Sequence, residues 1–145
     1  MRLLGIDFGE KYIGLALSDP LQSIARPFKT IPSNQKSLEE IKKICQDEEV
    51  EKIILGLPKS MDGSLGPQGE KTLQFKKDLE SKLDLSIELE DERLTTKLAA
   101  NILSNNDPAM RRDPATRGKK KIKESRSEIN KLAAQLILES YLSRM

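Results

Sequence analysis

Apolar positions along the chain follow two different periods, and the switch between them marks out the elements. Arg2 to Phe8 and Tyr12 to Ser18 are apolar on both parities, through Leu3, Leu4, Ile6 and Phe8 and then Ile13, Leu15, Ala16 and Leu17. Runs of this kind are strands covered on both faces. The link Gly9-Glu10-Lys11 is short enough for a glycine-containing hairpin, so the two strands are expected to be antiparallel neighbours. A third run, roughly Ser23 to Ile31, contains Pro27, which cannot donate to a ladder and belongs at a sheet edge.

Beyond that point strands alternate with helical spacing. Ser37 and Glu40 have the spacing of a capping box, and Leu38, Ile41, Ile44 and Cys45 form the apolar stripe behind them. Lys52 to Leu57 carries Ile53, Ile54 and Leu55 in a row, the mark of a buried parallel strand. Pro67 suits the first turn of a helix that continues through Leu73, Phe75, Leu79 and Leu83. Ser86 to Asp91 alternates, with Leu85, Ile87 and Leu89 on one face and Ser86, Glu88 and Glu90 on the other, which predicts a half-exposed strand. Another helix is expected from about Thr95 through Leu98, Ala99, Ile102 and Leu103. Residues 105–124 have no period and contain Pro108, Pro114 and Gly118, so they read as a loop. Ser125 and Glu128 repeat the capping-box spacing and open a final helix with Ile129, Leu132, Ala133, Leu136 and Ser140 facing inward.

The order is an antiparallel meander followed by parallel strand–helix units. Its economical solution is an α/β fold with a five-stranded mixed sheet, order 3-2-1-4-5, flanked by helices in a single domain over residues 1–145. Ligands of such sheets sit beyond the carboxyl ends of the parallel strands. Asp7, the segment after Leu57, and Asp91 with Glu92 all fall there.

Composition narrows the chemistry. The chain has 145 residues, 37% hydrophobic and 33% charged, with no segment of membrane-spanning length, which fits a cytoplasmic protein with a modest core. Its single cysteine, Cys45, lies in an apolar stripe and reads as a buried thiol. Histidine is absent, which removes the commonest general base and transition-metal ligand. The net charge of +2 hides an asymmetry: residues 105–126 hold Arg111, Arg112, Arg117, Lys119, Lys120, Lys121, Lys123 and Arg126 against Asp107, Asp113 and Glu124. A basic segment on a mildly acidic body is the footprint of a polyanion partner such as nucleic acid.

Asp7 ends a buried strand just before a glycine turn, where a carboxylate needs a partner, a hydrogen bond or a metal. Asp91 continues the parity of Leu85, Ile87 and Leu89, whereas Glu92 has the opposite parity, so periodicity favours Asp91 as the inward carboxylate. Clustered carboxylates without histidine suit hard cations, Mg²⁺ or Mn²⁺, which activate water and stabilise a leaving oxygen in phosphodiester cleavage.

Four blocks in this chain, MRLLGIDFGEKYIGLALSD, ILGLPKSMDGS, DERLTT and KLAAQLILESYL, resemble in order the signature blocks of the YqgF family, RuvX-like nucleases related to Holliday junction resolvases. The resemblance implies a ribonuclease H-like fold, divalent-metal dependence and a role in maturing the 5′ end of 16S ribosomal RNA. It implies Asp7 as the first metal carboxylate and the Asp91-Glu92 pair as the second, these three being the catalytic residues. The third family carboxylate is usually an aspartate just before the Lys-Leu-Ala-Ala segment, and this chain has Asn130 there. Asparagine keeps an oxygen ligand and loses a negative charge, which weakens attraction for a divalent cation. Asn130 shares a helical stripe with Ala134, Ile137 and Tyr141, which predicts that it faces inward. Gly56, Leu57 and Pro58 are read as a substrate-adjacent loop beside Asp7, either offering amides to a phosphate or serving as simple turn chemistry.

Three readings stay open at this level: processing of precursor ribosomal RNA, resolution of four-way DNA junctions, and a non-cutting scaffold favoured by Asn130. Only five aromatic residues are present, so recognition of backbone and shape is expected over base stacking as a main source of sequence specificity. A monomer or weak dimer is expected. Neutralising Lys119, Lys120 and Lys121 together should weaken nucleic-acid binding and flatten its salt dependence by about three phosphate contacts, each with a slope near −0.9 on duplex. Affinity measured against salt concentration checks this, and an unchanged slope would remove these lysines from the interface.

Overall fold

In the computed structural model, residues 1–59, 63–91 and 119–145 are described, the last stretch with side chains from residue 128 onward. Five strands form one mixed sheet: β1 (Arg2–Phe8), β2 (Tyr12–Ser18), β3 (Ala25–Pro32), β4 (Val50–Leu57) and β5 (Ser86–Asp91). Their order is β3-β2-β1-β4-β5, as the sequence pattern predicts. β1 and β2 pair antiparallel, as do β2 and β3, while β4 runs parallel to both β1 and β5. Three helices are described: α1 (Ser37–Asp47), α2 (Pro67–Lys82) and α3 (Lys119–Ser143).

The two faces of the sheet are built differently. One is a deep aliphatic layer, in which Leu4, Ile6, Ile13, Leu15, Ile53 and Leu55 meet Ile41, Ile44, Cys45, Phe75 and Leu79 of α1 and α2. Each fully buried leucine or isoleucine there contributes about 1.5–3 kcal/mol of transfer free energy. The other face is thinner. Leu3, Ala16, Ala25 and Ile54 meet Ala134, Ile137 and Leu138 of α3. Residues alternate between these faces along every strand, so both parities of β1 and β2 are apolar because both faces are covered.

Several local details depart from the pattern-based reading, each for an identifiable reason. β3 begins at Ala25 instead of Ser23, because the amides of Ser23 and Ile24 are already donated to the Asp19 carboxylate at 2.7 and 2.9 Å. Pro27 sits on the edge strand where the register slips between Leu15 and Ala16, so its missing N–H falls at a bulge. Ser37 does not cap α1. It is buried, accepts the Asn34 N–H at 2.8 Å and donates to the Pro32 carbonyl at 2.9 Å, which ties the β3–α1 connection together.

α3 starts at Lys119, six residues before the Ser125 capping-box position, so part of the basic segment is helical backbone and not loop. No glycine or proline follows Gly118, and the lysines and glutamate there are good helix formers. Glu128 pairs with Lys131 at 2.9 Å, and the Ser125 side chain that its capping-box spacing points to lies outside the described residues. The inward stripe of α3 is also rotated from the one centred on Leu132 and Leu136: Ala133, Ala134, Ile137 and Leu138 are buried, and Leu132 and Leu136 flank them half-buried. The helix expected from Thr95 lies outside the described residues.

Pro67 occupies the first turn of α2, as expected, and Cys45 is buried, which pushes its thiol up to about 11. Among the described residues no helix is long and apolar enough to cross a membrane. The β2–β3 turn is organised by Asp19. Hydrogen bonds from the Ile24 amide, the Ser23 hydroxyl and the Ser23 amide hold its carboxyl down to about 2, from an ordinary value of 3.8. A carboxyl depressed by folding contributes stability that is fully present above its unfolded value and is lost as pH falls through the folded one. The contribution of Asp19 is therefore expected to disappear between about pH 4 and pH 2, and Asp19→Asn should flatten that part of the acid-unfolding profile. Acid titration of both proteins by circular dichroism, with NMR detection of the Asp19 carboxyl, checks the window.

Candidate active site

Asp7 lies at the end of β1 on the face covered by α3. Strand alternation sends Leu4, Ile6 and Phe8 toward α1 and α2, and Leu3, Gly5 and Asp7 toward α3. Across the hairpin, Asp7 pairs with Gly14 and Gly5 with Ala16, so small residues surround the aspartate on its own face.

This clearing is filled by helix backbone. A Cβ added at Gly14 would stand 2.0 Å from the carbonyl oxygen of Asn130, and one at Gly5 would stand 2.9 Å from that of Ala134. Asn130, Ala134 and Leu138 are one turn apart on α3, so a single ridge of the helix runs down the glycine floor. The consequence is positional. The residue beside Asp7 in the sheet is the residue on which Asn130 rests, so the two residues share one face at the same end of the sheet. Both are half-buried. Asn130 thus faces inward as its helical stripe predicts.

An open cavity of about 340 Å³ lies against this point, lined by Gly9, Glu10, Lys11, Tyr12, Ile129 and Asn130. On the other side of the β1–β2 turn, the Gln68 side chain donates to the Phe8 carbonyl at 3.1 Å and Lys71 forms an ion pair with Glu10. That pair and its hydrogen bond hold the Glu10 carboxyl below the usual glutamate range. α2 therefore braces the end of β1 opposite α3.

The other expected site residues are placed as follows. Gly56 and Leu57 are the last residues of β4, paired with Glu90 and Asp91, and Pro58 comes directly after, so the first two belong to the strand and not to a loop. They neighbour the Asp7 end of β1, whose ladder with β4 runs as far as Ile6 with Leu55. Asp91 closes β5 opposite Leu57 and is exposed, with the parity of Leu89. Leu89 packs on the α1 and α2 face, so Asp91 and Asp7 start from opposite faces of the sheet with β4 between them. The inward parity of β5 identified from sequence is therefore inward to the wrong layer for Asp7. Glu92, Arg111, Arg112 and Arg117 lie outside the described residues; Lys119, Lys120, Lys121 and Lys123 belong to the opening turns of α3, with side chains not described.

The pattern of the sequence missed Glu90. It sits on the polar side of β5 yet is only 7% exposed, because α3 covers that face. Its carboxylate accepts a hydrogen bond from the Ser140 hydroxyl at 3.0 Å and pairs with the Arg144 guanidinium. Beside it Lys52 donates to Tyr141 at 3.2 Å and to Glu88 at 3.3 Å, and the Tyr141 hydroxyl with Lys52 holds Glu88 below its ordinary value. This polar cluster fastens the C-terminal half of α3 to β4 and β5. The one cue in the sequence was the Ser140–Arg144 spacing, a single helical turn.

Among the described residues no three acidic, cysteine or histidine side chains gather as a metal cluster. Where α3 crosses the β1–β2 hairpin, Asp7 offers a carboxylate and Asn130 a carboxamide, both hard oxygen ligands. Their chemistry fits Mg²⁺ or Mn²⁺ and does not fit a soft metal.

Comparison with known proteins agrees with this architecture. Residues 1–144 match a family model described as RuvX, Holliday junction resolvase. A protein of Clostridium kluyveri named "Putative pre-16S rRNA nuclease" is 43% identical over an alignment spanning all of this chain and 98% of its own. One of Clostridium botulinum with the same name is 40% identical with the same coverage. Among solved structures, Thermus thermophilus RuvC superimposes with a TM-score of 0.54 at 11% identity, covering 100% of this chain and 96% of that one. The fowlpox virus Holliday junction resolvase gives 0.51 at 12% identity, with 99% of each chain covered. These likenesses establish the ribonuclease H-like fold.

The contact at Gly14 yields a direct test. Gly14→Ala forces a methyl group into the Asn130 backbone, so α3 must lift, at a cost expected near the upper end of ordinary overpacking, about 3 kcal/mol. Urea unfolding measures the loss, and a change below about 0.5 kcal/mol would mean that α3 does not seat on the hairpin as described.

Proposed function

The chain belongs to the RuvX family, and we propose that it is a divalent-metal-dependent nuclease that hydrolyses phosphodiester bonds at the 5′ end of pre-16S ribosomal RNA, residues 1–145 acting as one ribonuclease H-like domain. The observation that carries this reading is the placement of Asp7 and Asn130 on one sheet face, in a chain 40–43% identical along its whole length to proteins named for that processing step.

Asp7 would hold the cation with a full negative charge and Asn130 with a neutral oxygen. Of the Asp91-Glu92 pair, Asp91 has the parity of the opposite face, so Glu92 is the proposed further ligand. When bound, Mg²⁺ or Mn²⁺ supplies a more acidic water and stabilises charge on the phosphate oxygens. The protein's own part is positional. The glycine floor fixes Asn130 against the Asp7 strand, α2 braces the end of β1 through Gln68, and the polar cluster at Glu90 anchors β5 to α3. Arg111, Arg112, Arg117, Lys119, Lys120, Lys121 and Lys123 are proposed to hold the nucleic-acid backbone by counterion release. Asparagine at position 130 lowers the charge of the site, and with it the affinity for cation.

A second reading, resolution of four-way DNA junctions, is favoured by the family's own description. Labelled precursor-RNA ends and four-way junctions incubated with the purified protein and Mg²⁺ or Mn²⁺ separate the two. Asp7→Asn is expected to abolish cleavage of the true substrate while leaving its affinity nearly intact, since the basic segment supplies most of the binding. Asn130→Asp is expected to tighten Mg²⁺ binding in calorimetry and raise cleavage at limiting Mg²⁺. A wild type inert at every metal concentration, not awakened by Asn130→Asp, would overturn the nuclease reading in favour of a binding scaffold. Good cleavage indifferent to Asn130→Asp would remove position 130 from the ligand set.

A further inference from the structure

The residue after Asp7 opens on a second cavity. Phe8 ends β1 on the α1 and α2 face, and together with Glu10, Ser33, Lys71, Gln74, Phe75 and Asp78 it lines an open hollow of about 430 Å³. One face of the Phe8 ring is stacked on Phe75, with centroids 4.3 Å apart and an interplanar angle of 17°. Phe75 is buried in the core, so it holds the Phe8 ring in a fixed plane. The Phe8 carbonyl is fixed as well, by Gln68.

The rim of this hollow is selective in charge. Glu10 and Asp78 place two carboxylates there against one ammonium, Lys71, which is already paired with Glu10. Such a rim repels a phosphate. A flat, neutral group with hydrogen-bonding edges suits it better, with the Ser33 hydroxyl and the Gln74 amide, which also donates to Asp78 at 3.1 Å, as its polar partners. A nucleic-acid strand whose phosphate lies at Asp7 carries such groups on either side of that phosphate.

We propose that this hollow is a nucleobase subsite, in which an unpaired base flanking the scissile phosphate stacks on the side of Phe8 turned away from Phe75. The proposal rests on the nuclease reading above and deepens it, because a base can occupy the hollow only when it is free of a duplex partner. The subsite selects substrates that are single-stranded or unpaired beside the cut. It reads no sequence, since every base offers a flat face to an aromatic ring.

The test uses single-stranded precursor-RNA oligonucleotides in which each nucleotide near the cut is replaced in turn by an abasic one. Affinity is measured by fluorescence anisotropy without divalent metal, and cleavage is measured with Mg²⁺. For wild type, one abasic position is expected to weaken binding by about tenfold. Phe8→Leu, which keeps an apolar side chain against Phe75, should lose the same factor on the intact strand and lose nothing more on that abasic one. Phe8→Tyr, which keeps a flat ring, should behave as wild type. If no abasic position weakens binding, or if the losses from Phe8→Leu and the abasic position multiply, the subsite is wrong even where cleavage of RNA is intact. A protein that neither binds nor cuts these strands overturns both the subsite and the nuclease reading.

Discussion

The architecture depends on how closely α3 lies on the β1–β2 hairpin. A backbone oxygen of the helix occupies the space where a side chain would begin at Gly14, and a second does nearly the same at Gly5. Contact this close is available only where the strand residues are glycine or alanine and the helix residues above them are small, as Ala133 and Ala134 are. Without it the helix would ride over ordinary aliphatic side chains and Asn130 would stand away from Asp7. The spacing of the candidate site is therefore set by residues that have almost no side chain.

The sheet divides its labour accordingly. The face toward α1 and α2 buries long aliphatic chains and supplies most of the hydrophobic stabilisation. The face toward α3 buries less and compensates with specific polar contacts at its far end, where Glu90, Ser140, Arg144, Lys52, Glu88 and Tyr141 interlock. A buried carboxylate such as Glu90 is tolerable because it is both hydrogen-bonded and ion-paired, and removing either partner would leave a charge stranded under the helix. The glycine contact begins at the middle of α3, at Asn130, and the polar cluster lies at its C-terminal end, so the C-terminal half of the helix is held against the strands that lead to the candidate site.

The carboxyl end of β1 presents different chemistry on its two sides. Toward α3 the Asp7 carboxylate faces the same side as the Asn130 carboxamide, oxygen donors that suit a hard cation. Toward α2 the strand end offers a ring whose plane is fixed by Phe75, within a rim that disfavours phosphate. Consecutive residues, Asp7 and Phe8, produce this split because a strand turns successive side chains to opposite faces.

The pattern of apolar positions sufficed for the strands, their order, the edge position of Pro27 and the inward turn of Asn130, because each of these follows from period, turn length or a proline's missing donor. The family blocks and the strand-end aspartate pointed to the candidate site in the same way, through local sequence. Other features depended on what packs where. Ser37 and Ser125 have capping-box spacing, yet Ser37 is recruited by the β3–α1 connection and the helix at Ser125 has already begun six residues earlier. Alternation along β5 distinguishes two faces, but it cannot say which layer each face meets. Only the placement of α3 turns the polar side into a buried one, clamps Glu90 there and leaves Asp91 on the side away from Asp7. Local spacing is written in the chain because it arises from backbone geometry; the identity of the neighbour across a layer is decided by tertiary packing, which no stretch of sequence contains by itself.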